Sequence, residues 1–238
     1  MVPLVMNIVR SKNRSGYKDR KEDTLVWDLG IRVFHWVLVV LLMALWATAE
    51  SEGDWMGVHR WLGTAVLALV LARLIWGFIG SETARFAKFL KGPRAVIRYF
   101  RQWRGQGDEY LHAGHNPAGG WSVVLLLALL LLQAVTGLFS NDDIFFEGPL
   151  SPLVSKALSD RLTGIHHLLF NALLAAVVLH VLAVIAYWIF KRNNLVLPMI
   201  FGRKRLPAEM AAPQLRSPWW ALAILVVVGT LLVWGIGT

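Results

Sequence analysis

The sequence predicts an all-α integral membrane helical bundle, with four core helices and a fifth transmembrane helix at the C-terminal end. Three observations predict it. Of 238 residues, 56% are hydrophobic and only 16% are charged, a balance too apolar for an ordinary soluble domain. Five stretches each approach the ~20 apolar residues needed to cross hydrocarbon. Basic and acidic connections alternate between those stretches. Backbone groups in lipid must be hydrogen-bonded within their own segment, so the spans are helices.

The spans run from about Ile31 to Ala49, Trp61 to Gly80, Trp121 to Phe139, His166 to Phe190 and Trp219 to Ile236. The N-terminal tail carries Arg10, Lys12, Arg14, Lys18, Arg20 and Lys21. The second connection carries Arg85, Lys88, Lys91, Arg94, Arg98, Arg101 and Arg104, and the fourth Lys191, Arg192, Arg203, Lys204, Arg205 and Arg216. The first and third are acidic, with Glu50, Glu52 and Asp54, then Asp142, Asp143 and Glu147. Cytoplasmic loops carry the excess of Lys and Arg, which puts the N-terminus inside and the C-terminus outside. The first long apolar run starts too late and runs too long to read as a cleavable signal peptide. Phe89 to Trp103 interleaves apolar and basic residues and suits the cytoplasmic membrane surface. Asn141 to Gly164 has room for a short external helix. The chain thus divides into a tail (1–24), a four-helix core (25–192), a basic connector (193–216) and the fifth span (217–238).

The formal net charge of +9 would suggest nucleic acid in a soluble protein. Here the cations are gathered in particular loops, so topology explains them and membrane lipid, not nucleic acid, is the expected partner. Twelve tryptophans fit the membrane–water boundary. The absence of cysteine removes disulfides, thiolate metal sites, iron–sulfur clusters and covalently attached haem. Any metal must sit on His, Met or carboxylate, which makes the seven histidines the main candidates.

Ionisable residues inside a membrane are costly and usually functional. His35 lies near the cytoplasmic start of the first span and His59 at the external start of the second. His166 and His167 open the fourth, and His180 lies toward its cytoplasmic end. The 14 residues from His166 to His180 fall about 40° short of four full turns, so the two share a face. The 13 from His167 fall about 140° short, so His167 faces elsewhere. The rise over 14 residues is ~21 Å, which suits two haems stacked across a bilayer. Matching depth pairs His35 with His180 and His59 with His166, as bundle cores commonly build cofactor sites from facing helices. Two imidazoles fill both axial positions of an iron, which suits electron transfer rather than oxygen chemistry.

Haem propionates need cationic or hydrogen-bonding partners. Arg32, one turn before His35, and Arg73, on the face of His59 but near the cytoplasmic end, are assigned to the cytoplasmic haem. His115 lies within reach of that haem's propionates or of a quinone headgroup, whereas His112 reads as a solvated loop residue. Gly63 and Gly137 admit close approach of a macrocycle or of a neighbouring helix. The fifth helix, without ionisable residues, serves as an anchor or a partner contact.

Trp27-Asp28, Arg32, His35-Trp36 and His59-Arg60-Trp61-Leu62-Gly63 together resemble the bacterial cytochrome b561 family. So do Arg85-Phe86, Gly92-Pro93, His115 to Gly120, Thr136-Gly137, and His166 with His180. That family includes the b-type cytochrome subunits of membrane-bound nickel–iron hydrogenases. The resemblance covers about Leu25 to Arg205 and implies a four-helix bundle in the bacterial inner membrane with two haems b. It implies exchange of electrons with the quinone pool and with a periplasmic partner, a c-type cytochrome or a hydrogenase subunit. It supports His35, His59, His166 and His180 as iron ligands. Two other functions compete. A superoxide:quinone oxidoreductase would want a basic funnel outside, where Lys156 and Arg161 are the clear cations. A haem-free structural or transport subunit would lack paired b-type absorption bands. The fifth helix and the long basic connector depart from the minimal four-helix pattern.

Overall fold

The computed structural model describes residues 21–51, 55–103, 112–144 and 146–236. The cations from Arg10 to Arg20, together with Glu52, Asp54 and Arg104, lie outside them. Among the described residues, five helices are long and apolar enough to cross a membrane: α1 (Leu29–Glu50), α2 (Met56–Ile79), α5 (Pro117–Leu138), α6 (Lys156–Lys191) and α8 (Pro218–Ile236). Between them lie the short helices α3 (Phe86–Phe89), α4 (Pro93–Trp103) and α7 (Val196–Phe201), and the strands β1 (Lys21–Leu25) and β2 (Arg203–Pro207).

Local chemistry starts these helices where they start. Asp28 caps α1 by accepting the Ile31 N–H at 2.8 Å. Asn116 caps α5 by accepting the Gly119 N–H at 2.7 Å, and Pro117 follows where a missing N–H costs nothing. Ser155 caps α6, which therefore begins ten residues before the apolar run it contains. At 1.5 Å per residue its 36 residues span about 54 Å, well beyond the ~30 Å hydrocarbon layer. Much of the expected external loop is thus the protruding first turns of α6.

α1 packs on α2, α2 on α5, and α5 on α6; α8 lies along α2 and touches α1. α2 has neighbours on three sides, and more than half of its apolar window is buried. A side chain on Gly30 would stand 2.8 Å from Ala221 Cβ, so glycine sets the close approach of α8 to α1. α6 has no comparably close backbone contact with α1 or α2 among the described residues. At mid-height Leu173 of α6 closes onto Val66 and Val70 of α2 and Leu127 and Leu130 of α5, ringed by Leu41 and Leu42 of α1.

A second small core caps the end of the bundle that carries the basic connections. Val26, Trp27, Ile31, Trp76, Ala84 and Leu206 are buried together there. β1 pairs antiparallel with β2, setting Asp23 opposite Arg205 and Thr24 opposite Lys204. Among the described residues the ribbon is the one pair of strands in an otherwise helical fold. It binds the stretch before α1 to the connector, which sequence periodicity could not couple across 180 residues. Gly202 ends α7 with φ +80, and its carbonyl accepts both Val26 N–H (2.8 Å) and Trp27 N–H (3.1 Å). The connector continues along the cap through Gln214 and Glu82, joined by N–H bonds in both directions at 2.9 and 3.1 Å.

Candidate two-level histidine site

The four histidines on the bundle interior fall at two levels. At the basic end, His35 of α1 and His180 of α6 lie within electrostatic reach of one another. At the opposite, acidic end, His59 of α2 and His166 of α6 do the same. Leu173 lies seven residues from each α6 histidine, and it is 6% exposed at the centre of the apolar layer. Seven residues are close to two turns, so all three share one face of α6. The bundle is closed by side chains at mid-height and holds imidazoles above and below.

The acidic-end pair is oriented by backbone carbonyls. His59 Nδ1 lies 3.1 Å from the Leu45 carbonyl and 3.1 Å from Thr48 Oγ1. A carbonyl only accepts, so Nδ1 carries the proton and Nε2 keeps its lone pair. His166 repeats this arrangement: Nδ1 donates to the Gln133 carbonyl at 2.9 Å, with Thr136 Oγ1 at 3.3 Å. Its Nε2 faces the Gln133 side-chain nitrogen at 3.1 Å, while Gln133 Oε1 is buried without a partner. Gln133 donates to the lone pair that a metal ion would take. Such outer hydrogen bonds are what fix the tautomer of a metal-binding histidine. A Cβ at Gly137 would lie 3.0 Å from His166 Cε1, so this glycine seats the ring directly. A Cβ at Gly63, one turn after His59, would meet nothing within 4 Å, leaving open space beside that histidine. His167 is exposed and meets His166 only at the ring edge, 6.3 Å between centroids.

The basic-end pair sits among unmet polar groups. Among the described residues, His35 Nδ1, His115 Nδ1, Arg32 Nε and Arg73 NH1 are all buried without a hydrogen-bond partner. Four such orphans in neighbouring residues call for an explanation, because each costs about 1–3 kcal/mol if left unmet. An anionic group with several acceptors would meet them. Arg73 is 5% exposed; it donates to the Ala84 carbonyl at 3.2 Å, lies 5.5 Å over the Phe86 ring, and feels the Asp28 carboxylate. Arg32 spends one donor on the Ile200 carbonyl at 2.8 Å. His115 is wedged between Trp27 and Phe89, each 4.7 Å away, and burial pushes its pKa down to about 3, with the charges of Arg73 and His180 adding to the effect. His112 is half-buried, not fully solvated; burial first, then Lys204 and Lys91, lowers its pKa.

Sequence reasoning missed several members of this site. Asp28 is buried at 3% exposure and accepts from Trp76 Nε1 at 3.3 Å as well as capping α1. Arg60, next to His59, has a buried Nε without a partner among the described residues. Its signal was present: it is one of few cations, with Lys156 and Arg161, at an end where the loops are acidic. Gln133 carried a weaker signal, an amide inside an apolar span.

Among the described residues no group of three or more His, Cys, Asp or Glu is placed to hold a bare metal ion. Paired imidazoles on facing helices instead suit a haem, whose porphyrin would supply the other four iron ligands. No curated protein and no solved structure matches the chain. The family model described as prokaryotic cytochrome b561 matches residues 26–202, from the end of β1 through α7. The chain therefore belongs to the prokaryotic cytochrome b561 family, membrane b-type cytochromes that bind haem b and transfer electrons.

Proposed function

We propose that this chain holds two haems b, one between His35 and His180 and one between His59 and His166. It passes electrons across the bacterial inner membrane between the quinone pool and a periplasmic redox partner, a c-type cytochrome or a hydrogenase subunit. The observation that carries this reading is the pairing of four histidines at two levels, with the apolar layer around Leu173 between them. Bound haem would supply one-electron exchange between ferric and ferrous iron.

The chain's own residues do the rest. His59 and His166 present Nε2 because their Nδ1 protons are held by the carbonyls of Leu45 and Gln133. The free donors of Arg73 and Arg32 are available to propionate carboxylates at the basic end, and Arg60 Nε at the acidic end. The Leu173 layer keeps water out of the path between levels. Gly63 leaves room for a flat group beside His59. The positive-inside rule makes the basic end cytoplasmic, with the N-terminus inside and the C-terminus in the periplasm.

The acidic end favours a docked basic protein over a small anion. Lys156 is held between Asp143 and Asp160, which leaves Arg161 as the exposed cation without a carboxylate at ion-pair distance there among the described residues. The test uses haem-loaded protein in sealed vesicles. Quinol should reduce the b-type bands, and c-type cytochrome added at the acidic face should reoxidise them. No reduction by quinol would overturn the reading, and fast reduction by superoxide with transfer to quinone would replace it with a superoxide:quinone oxidoreductase.

A further inference from the structure

Helix α4 takes no part in the proposed electron path, yet its attachment is specific. Tyr99 is hydrogen-bonded to Tyr187 at 2.5 Å between hydroxyl oxygens, and Trp103 packs against Tyr187 and Phe190 near the end of α6. Tyr187 is bonded also to Asn116, whose Nδ2 donates to it at 3.1 Å, so the cap of α5 joins the same cluster. Just before α4, the Lys91 carbonyl accepts from Trp121 Nε1 at 2.9 Å. These contacts fix which side of α4 faces the bundle.

With that side fixed, the sequence places two further faces. Ile97 and Phe100 form an apolar ridge, 53% and 55% exposed. Arg94, Arg98 and Arg101 lie within about 60° of arc at ~100° per residue, beside the ridge and away from the docked side. All three are exposed, and none has a carboxylate at ion-pair distance among the described residues. The helix runs where the spans α5 and α6 reach the basic end, which is the level of a membrane surface.

We propose that α4 is an anionic phospholipid-binding surface, with Ile97 and Phe100 in the acyl boundary and the three arginines on lipid phosphates. The planar fork of a guanidinium matches phosphate oxygens with paired donors. An apolar ridge beside a basic face is the pattern of a helix lying in the membrane interface. A water-soluble acidic partner would leave Ile97 and Phe100 facing solvent. A zwitterionic lipid brings an ammonium along with its phosphate, so it would leave the net charge of the three arginines uncompensated. Lipid at the interface satisfies both faces at once.

Two measurements test this on the full chain, and neither depends on bound haem. The chain has no cysteine, so Ile97→Cys takes a spin label at one site. In nanodiscs containing phosphatidylglycerol, the label should collide more with oxygen than with a water-soluble nickel chelate; the reverse order overturns the proposal. In nanodiscs of mixed phosphatidylglycerol and phosphatidylcholine, lipid retained by the extracted protein is then counted by native mass spectrometry. Replacing Arg94, Arg98 and Arg101 together by glutamine should weaken the preference for phosphatidylglycerol about a hundredfold, roughly fivefold per arginine. Replacing them by lysine should keep most of it. Equal preference in the glutamine variant and the wild type overturns the proposal.

Discussion

Replacing Gly137 by alanine perturbs one level of the site and leaves the other alone. The new Cβ would stand 3.0 Å from His166 Cε1 and 3.3 Å from its Nδ1. Comfortable contacts between carbon atoms lie at about 3.5–4.0 Å, so the ring must retreat by several tenths of an ångström. Retreat stretches the 2.9 Å bond from Nδ1 to the Gln133 carbonyl. A hydrogen bond contributes about 0.5–1.5 kcal/mol net, and weakening it loses part of that. Alanine in a helix interior is favoured over glycine by about 1 kcal/mol. The two effects oppose each other, so overall stability should change by no more than about 1 kcal/mol. A haem held by His166 would sense the turned imidazole without such compensation, because hydrogen bonding to an iron-binding histidine tunes the iron's potential. Low-temperature absorption spectra and a redox titration read the two b-type components separately. The expected result is a shift of the component that His59→Ala removes, with the other unchanged. A shift of the component that His180→Ala removes, or no shift in either, would refute the seating of His166 on Gly137.

Three further outcomes follow from the same structure. Leu173→Ala should lower unfolding stability by about 2–5 kcal/mol, because the residue is buried at the centre of the apolar layer, whereas Leu173→Met should cost less than about 1.5 kcal/mol; chemical denaturation in detergent compares them, and equal losses would count against a tightly packed layer. At Gly77 a Cβ would come within 2.1 Å of the Phe86 ring, so Gly77→Ala should destabilise strongly, and combining it with Phe86→Ala should cost less than the sum of the two; strict additivity would mean that the helices part instead. His115 stays neutral in the fold, with a pKa of about 3 against about 6.5 when unfolded. The unfolded chain therefore takes up a proton first as pH falls through 6.5. Between pH 7 and pH 5 the fold should lose about 2 kcal/mol from this group, and His115→Phe should abolish that part of the acid sensitivity; an unchanged pH profile in the variant would contradict it.

Much of the fold was legible because its causes are local. Apolar length and loop charge fix the five spans without any knowledge of their packing. The helical repeat alone separated His166 from His167, and the structure turns the first toward α5 and leaves the second exposed. What stayed hidden depends on residues far apart in sequence. No periodicity announces that Asp23 will face Arg205, or that Thr83 will donate to the Val26 carbonyl. Asp28 read as part of a motif, but its burial beside Trp76 and Arg73 exists only once α1 and α2 are side by side. Gly137 was legible as a place of close approach, but which group approaches needed coordinates. The true start of α6 was obscured because Ser155 and the polar turns after it lie outside any apolar window.

In the proposed arrangement four histidines form two independent iron sites. Haem stoichiometry and visible spectra of the purified chain and four single alanine variants test it directly. Two haems b per wild-type chain are expected. His35→Ala and His180→Ala should each remove one and the same spectral component, while His59→Ala and His166→Ala remove the other, and His167→Ala removes neither. One haem per chain, or losses that do not sort into those two pairs, would contradict it.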